Sequence, residues 1–473
     1  MPYVDLYSSD DNASIFYRTS STYGNVSGFD ANKPTIMILH PMFLDCAWLD
    51  CQFGDPRLCD NFNMIAFDMR TMGKSQCQPS PKHDSWVDAA DIALCHQFLN
   101  LPPCHVFALE GISVACALRF AYLFPEMCLS LALCNPLATQ SQRWTQNSTL
   151  EIIHSWCFSE DLEALEHAAT ELVNFFLGPN RDVDLQDEVV AHWQKRCPPN
   201  RRPWIVETLS VLNNRIPMPF EAMAEIKQPV LLIHGERSDF SSRKHSEALA
   251  AQLRSVEGGA FIYTVKGAAT FLSIIPTSAS IVNRAVKEFI NRLPKSRSEL
   301  KPPEVSVAAR MEQALKRLAD LGLGYKGTTR LDPMSSLSFS CCSESVRLAQ
   351  DVLLEEYKKD RLYAFNPLGP DGRPKRKLSD GKDDSWFEVG ADGIGISTIA
   401  PSKFLPPEPK KEPEKESKHR NVTDIVETKV IKTSMASASM VDKYIIKGPM
   451  AKVVRENPSV TTPKPIGRIL MPQ

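Results

Sequence analysis

The chain has 473 residues, of which 43% are hydrophobic, and its formal net charge is −2. This length allows one large domain or two ordinary ones with sizeable cores. The near-neutral charge argues against nucleic-acid binding driven by bulk charge. The 13 cysteines are scattered without a CxxC pair, which favours free thiols in a reducing compartment and predicts a cytoplasmic protein.

Several classes of site and segment have no counterpart in the sequence. The first residues lack the pattern of a secretory signal, and no apolar run reaches the ~18 residues of a membrane helix. No glycine-rich phosphate loop and no cluster with metal-ligand spacing occurs. We therefore expect no membrane span, no cofactor and no metal.

Up to residue 293, apolar runs of strand length alternate with helix-length periodic segments. This alternation predicts an α/β sheet with helices on both faces. The near-continuous apolar character of the runs indicates mostly parallel, doubly covered strands. The predicted strands are residues 14–18, which we expect to be antiparallel, and residues 35–39, 64–67, 105–109, 129–133, 230–233 and 261–265.

Between residues 138 and 220 the pattern is helical and contains no convincing strand. Residues 159–177 and 187–195 have apolar side chains at helical spacing, and a proline-containing stretch interrupts them at 198–203. We interpret this region as a helical insertion that forms a cap over the sheet.

After Pro294 the composition shifts to lysine, serine, proline and glutamate. We expect a domain over residues 1–295, a tail over 296–365 with short helices at 305–321 and 344–359, and disorder over 366–473. The tail is a candidate for binding a protein partner. Its basic cluster at 374–377 suggests a nuclear-import signal, although solvated charge is the commoner role of four such residues.

Three motifs resemble those of the α/β-hydrolase superfamily, and the likeness covers roughly residues 14–293. The segment 68–75 is similar to the D-x-R-G-x-G-x-S turn, with Thr71 in place of one glycine. Residues 39–41 are similar to the His-Gly oxyanion turn, with Pro41 in place of the glycine. Residues 124–126 resemble the end of the helix that follows the nucleophile. The resemblance implies an α/β-hydrolase fold and a Ser-His-Asp triad.

The nucleophile turn can be read in two registers. In the first, residues 111–115 form G-x-S-x-A, and Ser113 is the nucleophile. In the second, which the counts from His105 and from Phe124 favour, Gly111 occupies the nucleophile position. Glycine has no side chain, so the second register predicts that nucleophilic catalysis is lost.

The acid and base positions also depart from the family pattern. The loop after residue 233 offers Asp239 as the acid, with Glu236 as the other candidate. The resemblance places the catalytic base at Thr270, whose hydroxyl cannot accept a proton near neutral pH. Three other histidines are candidate substitutes for the base, and none comes from the expected segment: His40, His234 and His245.

These departures predict a hydrolase fold with a degraded triad that acts by binding. The expected ligand is a small apolar molecule under the cap, or a protein partner. The alternative is a divergent serine hydrolase that acts on an ester or lipid-like substrate. In that alternative Ser113 attacks, Asp239 is the acid, and the amides of Met42 and Val114 bind the oxyanion.

Overall fold

The computed structural model describes residues 2–138, 143–178, 182–238, 241–323 and 331–383, with the backbone alone for 143–145, 382 and 383. Within these ranges the residues up to Leu378 form one compact unit, and 379–383 are the described part of a second. The stretch 384–473, which contains most of the segment expected to be disordered, lies outside the described residues.

One sheet runs through the described chain. Its strands are β1 (Tyr3–Tyr7), β2 (Asn12–Thr19), β3 (Thr35–Leu39), β4 (Asn63–Phe67), β5 (Gln76–Cys77), β6 (Cys104–Leu109), β7 (Cys128–Cys134), β8 (Val230–Gly235) and β9 (Phe261–Val265). The order is β1-β2-β4-β3-β6-β7-β8-β9, and β5 pairs with β2. Strand β2 is antiparallel to its neighbours, whereas the run from β4 to β9 in that order is parallel.

The predicted mostly parallel sheet is confirmed. Each predicted strand coincides with β2, β3, β4, β6, β7, β8 or β9, and the segment at 14–18 is antiparallel as expected. Strands β1 and β5 have no counterpart among the predictions. In β1 the buried Val4 and Leu6 alternate with exposed Asp5 and Tyr7, which is the pattern of a half-covered edge strand.

Helices cover both faces of the sheet, and an apolar core lies on each face. The helices are α1 (Asp50–Phe53), α2 (Pro56–Cys59), α3 (Ser85–Phe98), α4 (Ile112–Leu123), α5 (Arg143–Cys157), α6 (Leu162–Leu177), α7 (Val183–Arg196), α8 (Arg202–Asn213), α9 (Phe220–Glu225), α10 (Arg243–Gln252), α11 (Pro276–Ile290), α12 (Val307–Asp320), α13 (Glu344–Lys358) and α14 (Leu378–Asp383). Side chains of α3, α4 and α12 belong to one core, and those of α2 and α11 to the other.

The turn after β4 explains why the motif at 68–75 retains a glycine. Gly73 has a positive φ of 59°, and a Cβ at this position would overlap the Asp68 carboxylate. That carboxylate accepts hydrogen bonds from the amides of Cys46 at 2.7 Å and Lys74 at 2.8 Å. The Asp68 side chain therefore joins the loops that follow β3 and β4.

Helices α5 to α8 stand between β7 and β8, where the helical insertion is predicted. The indole N–H of Trp193 in α7 donates to the carbonyl of Phe43 at 2.9 Å. A buried imidazole forms a second link, because His83 Nε2 lies 2.9 Å from Asp88 and its Nδ1 lies 2.9 Å from Glu207 in α8. The insertion is thus joined to the sheet domain by polar as well as apolar contacts.

The described residues between 296 and 378 pack against the sheet domain. Helices α12 and α13 coincide with the two short helices predicted from the sequence, and each begins at a serine whose hydroxyl accepts an amide hydrogen bond. Met311 and Leu318 of α12 are buried on α3 and α4. The guanidinium of Arg317 donates to the carbonyl of Leu123 at 2.6 Å. We call residues 296–378 the extension.

The later part of the extension crosses α3 and reaches the insertion. The Cys341 amide donates to the Asp84 carboxylate at 2.7 Å, and Arg202 of α8 donates to the Tyr357 carbonyl at 2.8 Å. Within the basic cluster at 374–377, Arg376 donates to Glu166 of α6 at 2.6 Å. Part of this cluster's charge is therefore committed to an ion pair within the chain.

All 13 cysteines of the chain carry free thiols in the structure. Among the described helices, none combines the length and the apolar character needed to cross a membrane.

Candidate functional site

The connection from β6 to α4 is a sharp turn with its tip at Gly111. The backbone of this glycine has φ 71° and ψ −132°, a conformation that residues with a side chain rarely adopt. The preceding Glu110 also has a positive φ, of 46°. A Cβ added at position 111 would lie 3.1 Å from the Cβ of Met42, so the loop after β3 approaches this turn closely.

Ser113 lies inside the first turn of α4 and is fully buried. Its hydroxyl donates to the backbone carbonyl of His40, which turns the side chain toward the loop after β3. The ring of His40 is itself engaged on both sides. Its Nδ1 donates to the Pro41 carbonyl at 2.8 Å, and its Nε2 accepts from the Met69 amide at 2.9 Å.

Thr270 lies in the loop between β9 and α11, close to the Gly111 turn. Both residues line one small cavity at the carboxyl ends of the strands. The hydroxyl of Thr270 is 3.4 Å from that of Ser238, and its carbonyl accepts a hydrogen bond from the Asn135 side chain. Asp239, the first candidate for the acid, lies outside the described residues. The other candidate, Glu236, accepts from the Gly267 amide at 2.8 Å.

Glu110 holds the loop that carries Thr270. Its carboxylate accepts from the amides of Leu272 at 2.8 Å and Ser273 at 3.0 Å, and from the Ser273 hydroxyl at 2.8 Å. Burial raises the pKa of Glu110, whereas these three hydrogen bonds lower it. Burial has the larger effect, and the pKa rises from 4.5 to about 7. Glu110 has no role in the triad that the sequence motifs predict. The sequence feature that could have drawn attention to Glu110 is its carboxylate directly after six buried strand residues.

The amides suggested as oxyanion donors lie on two sides of the turn. Met42 is buried in the loop after β3, next to Phe43, which has a positive φ of 61°. Val114 is the third residue of α4. When Gly111 is taken as the tip, the next amide along the chain belongs to Ile112. The amides of Met42 and Val114 are therefore the expected oxyanion donors only when Ser113 is the nucleophile.

Among the residues that the structure describes, aromatic side chains occupy the space between the sheet and the insertion. Phe176 of α6 stacks on Phe271 with ring centroids 5.2 Å apart and planes 7° apart. The cavity beside Gly111 and Thr270 and a second one within the insertion each hold about 20 Å³, room for about one water molecule. Ligand pockets usually measure about 300–1,000 Å³. Among the described residues that line these cavities, none is a histidine.

The remaining substitute bases are held elsewhere. The Nε2 of His234 lies 2.8 Å from the Thr264 hydroxyl, and burial lowers the pKa of this histidine. The Nδ1 of His245 accepts from the Ser242 amide at 3.3 Å, where the two residues form the start of α10. Within the described parts of the chain, no three histidine, cysteine or acidic residues are grouped so as to hold a metal ion.

Comparisons with known proteins give likenesses of fold at low identity. A hydrolase from Pseudomonas aeruginosa PA01 is 21% identical, with a TM-score of 0.49, over 61% of this chain and 98% of the other. A thermophilic esterase from Thermogutta terrifontis is 16% identical, with a TM-score of 0.49, over 62% and 99%. The enol-lactonase from Burkholderia xenovorans LB400 is 15% identical, with a TM-score of 0.48, over 61% and 100%. No protein-family model matches the sequence, and no curated protein matches it significantly.

The fold of this chain is identified from its own strands and turns. The parallel run of strands with an antiparallel β2, the turn from β6 into α4 and the glycine turn after β4 occur together. By the order and direction of its strands, this chain has the fold of the α/β-hydrolase superfamily, which its sequence motifs resemble.

Proposed function

We propose that this protein is a non-catalytic α/β-hydrolase-fold protein that acts by binding a protein partner. The observation that carries the proposal is Gly111 at the tip of the turn between β6 and α4, with φ 71° and ψ −132°. In this fold the nucleophile stands on the sharp strand-to-helix turn. A glycine offers no atom that can attack a carbonyl carbon.

The surroundings of the turn support the same conclusion. Thr270 occupies the loop from which the resemblance expects a histidine, and a threonine hydroxyl cannot act as a general base near neutral pH. The cavity that joins Gly111 and Thr270 has room for about one water molecule. A substrate would therefore require both Phe176 and Phe271 to move, and would find neither a nucleophile nor a base.

A protein partner is favoured over a small apolar ligand for two reasons. The space under the insertion is filled by the stacked rings of Phe176 and Phe271. In contrast, α13 exposes 62% of Leu348 and 61% of Val352 to solvent. Residues four apart share one face of a helix, so these side chains form an apolar patch one turn long.

Labelling with a fluorophosphonate probe tests the absence of catalysis. We expect no labelling of the folded full-length protein above that of a heat-denatured sample, with an active serine hydrolase as the positive control. Labelling that disappears in Ser113→Ala, and persists in the matched variant Ser210→Ala, would contradict the proposal. It would support the alternative serine hydrolase that uses Ser113. Ser210 is a suitable control because its hydroxyl is also buried and donates to the Val206 carbonyl of its own helix, at 2.9 Å.

A photocrosslinking experiment tests partner binding. A photoreactive amino acid at position 348 or 352 of the full-length chain is expected to yield a discrete protein adduct in cells. The matched control is position 312, which is exposed on α12. The same adducts at all three positions, or none at 348 and 352, would refute the assignment of α13 as a binding surface.

A further inference from the structure

A cleft of about 470 Å³ opens on the surface away from the Gly111 turn. Four parts of the molecule form its walls: Tyr3 of β1, the chain between β4 and the end of β5, the insertion near the start of α8, and the extension at 361–362. Its volume falls within the range of small-molecule sites, about 300–1,000 Å³. This cleft takes no part in the function proposed above.

The cleft is strongly positive. Four cationic side chains line it, and none of the described lining residues carries a carboxylate; the four are Lys74, Arg196, Arg201 and Arg361. Arg196 is partly neutralised, because its Nε lies 3.5 Å from the Asp45 carboxylate. Within the described chain, no carboxylate lies at ion-pair distance from the other three. The Lys74 ammonium, however, lies over the Phe16 ring, 4.6 Å from its centroid, and Lys74 also borders a neighbouring cleft lined by Asp45, Asp50 and Asp68. The charges of Arg201 and Arg361 are therefore the ones that add within this concave surface.

The indole ring of Trp204 contacts two of these cations. Its indole N–H donates to the Cys77 carbonyl at 3.0 Å, which fixes the ring in the wall of the cleft. The guanidinium carbon of Arg201 lies 5.5 Å from the ring centroid, and that of Arg361 lies 5.1 Å from it. These are cation–π distances. Contacts with the ring restrain the guanidinium groups while leaving N–H donors at their edges for a ligand.

We propose that this cleft binds a phosphate-bearing anion. Guanidinium groups match the geometry of phosphate oxygens and form charge-assisted hydrogen bonds to them. A phosphate group or a pyrophosphate carries enough negative charge to neutralise cations that lack carboxylate partners. The insertion and the extension both contribute cations, so occupancy of the cleft also ties the extension to the insertion.

The rim of the cleft admits two sources of the phosphate. Leu362 is 83% exposed and Tyr363 is 89% exposed, directly after Arg361. Exposed aliphatic and aromatic side chains beside basic residues are typical of proteins that dock on anionic lipid surfaces. The phosphate can thus belong to a soluble ligand or to a lipid headgroup, and the two sources make different predictions for the rim.

Binding is tested on the full-length protein with two probes. Inorganic pyrophosphate is titrated calorimetrically, and vesicles of phosphatidylcholine with phosphatidylinositol bisphosphate are used in a sedimentation assay. Arg201→Gln and Arg361→Gln are each expected to weaken binding of whichever probe binds by about tenfold or more, the loss typical of one charge-assisted hydrogen bond. The control is Arg284→Gln, an exposed arginine on α11 outside the cleft.

The outcomes separate the alternatives. Pyrophosphate binding that depends on the cleft cations and is unchanged in Leu362→Ser with Tyr363→Ser supports a soluble ligand. Vesicle binding that is lost in this rim variant as well as in the cleft variants supports a lipid headgroup. The proposal is overturned when neither probe binds, or when Arg284→Gln weakens binding as much as the cleft variants. Superimposable circular dichroism spectra and melting curves establish that the variants are folded.

Discussion

Replacing Met311 by alanine is expected to destabilise the compact unit, although Met311 lies in the segment whose composition resembles a tail. The side chain of Met311 is 0% exposed and packs between α12 and the helices α3 and α4. Its sulfur accepts from the Gln97 amide group at 3.6 Å. The substitution removes the part of the side chain that fills this contact.

The expected loss follows from burial. Full burial of a methionine side chain contributes about 1.5–3 kcal/mol through removal of apolar surface from water. The space left behind adds a cavity term, because the surrounding helices relax only in part. Substitutions of buried methionine by alanine cost about 2–5 kcal/mol in total. We expect the Met311→Ala variant to fall in this range.

Urea unfolding of the full-length protein measures the change, with circular dichroism as the probe. Hydrogen exchange of the α12 amides adds a local reading, since a loosened helix exchanges faster than the sheet. The matched control is Gln313→Ala, an exposed position on the same helix that should change the stability by less than about 0.5 kcal/mol. Equal unfolding midpoints for both variants would refute stable packing of α12 on the domain.

Three further predictions concern buried charges. Because burial raises the pKa of Glu110 to about 7, the folded state binds this proton more tightly than the unfolded chain. Stability should therefore fall by about 3 kcal/mol as pH rises from about 4.5 to about 7, and Glu110→Gln should flatten this dependence in urea titrations. Burial lowers the pKa of His83, but its two carboxylate partners outweigh this and raise it to about 10. The stabilisation from His83 should be complete below about pH 6.5 and disappear as pH rises through about 10. At pH 7, His83→Gln should cost about 3–5 kcal/mol in the same urea assay, because it leaves those carboxylates buried without a cation. The Arg376 and Glu166 side chains should show a coupling energy of about 1 kcal/mol in a double-mutant cycle measured by thermal unfolding.

Each of these predictions has a result that contradicts it. A Glu110→Gln variant with the same pH dependence as the wild type would show that this carboxyl does not titrate in the folded state as described. For His83, wild-type stability that stays constant between about pH 6.5 and 10 would exclude a charged imidazole. Additive effects of the Arg376 and Glu166 substitutions would mean that the ion pair contributes nothing to docking of the extension.

The turn at Gly111 was the part of the site most accessible to sequence reasoning. Its position follows from the number of residues after His105, at the start of a predicted strand, and before Phe124. Such short spacings along the chain do not depend on tertiary contacts. Thr270 could be placed from the sequence in the same way, because it lies a few residues after a predicted strand. Asp239 lies outside the described residues, so the acid remains a sequence prediction.

The sequence by itself determined seven of the strands, the helical character of the insertion, and helices α12 and α13. These elements follow from apolar periodicity over short windows, where backbone geometry dictates which side chains share a face. The tertiary structure alone decided what those elements contact. Phe176 meets Phe271, Glu110 binds the amide of Leu272, and Met311 enters the domain core, all between segments far apart in sequence. Composition alone suggested that the extension is an undocked tail. This was misleading because a few buried residues among many charged ones suffice to dock a helix whose polar face remains in water. The sequence also did not predict the cationic cleft, because its charges come from segments that only the folded chain brings together.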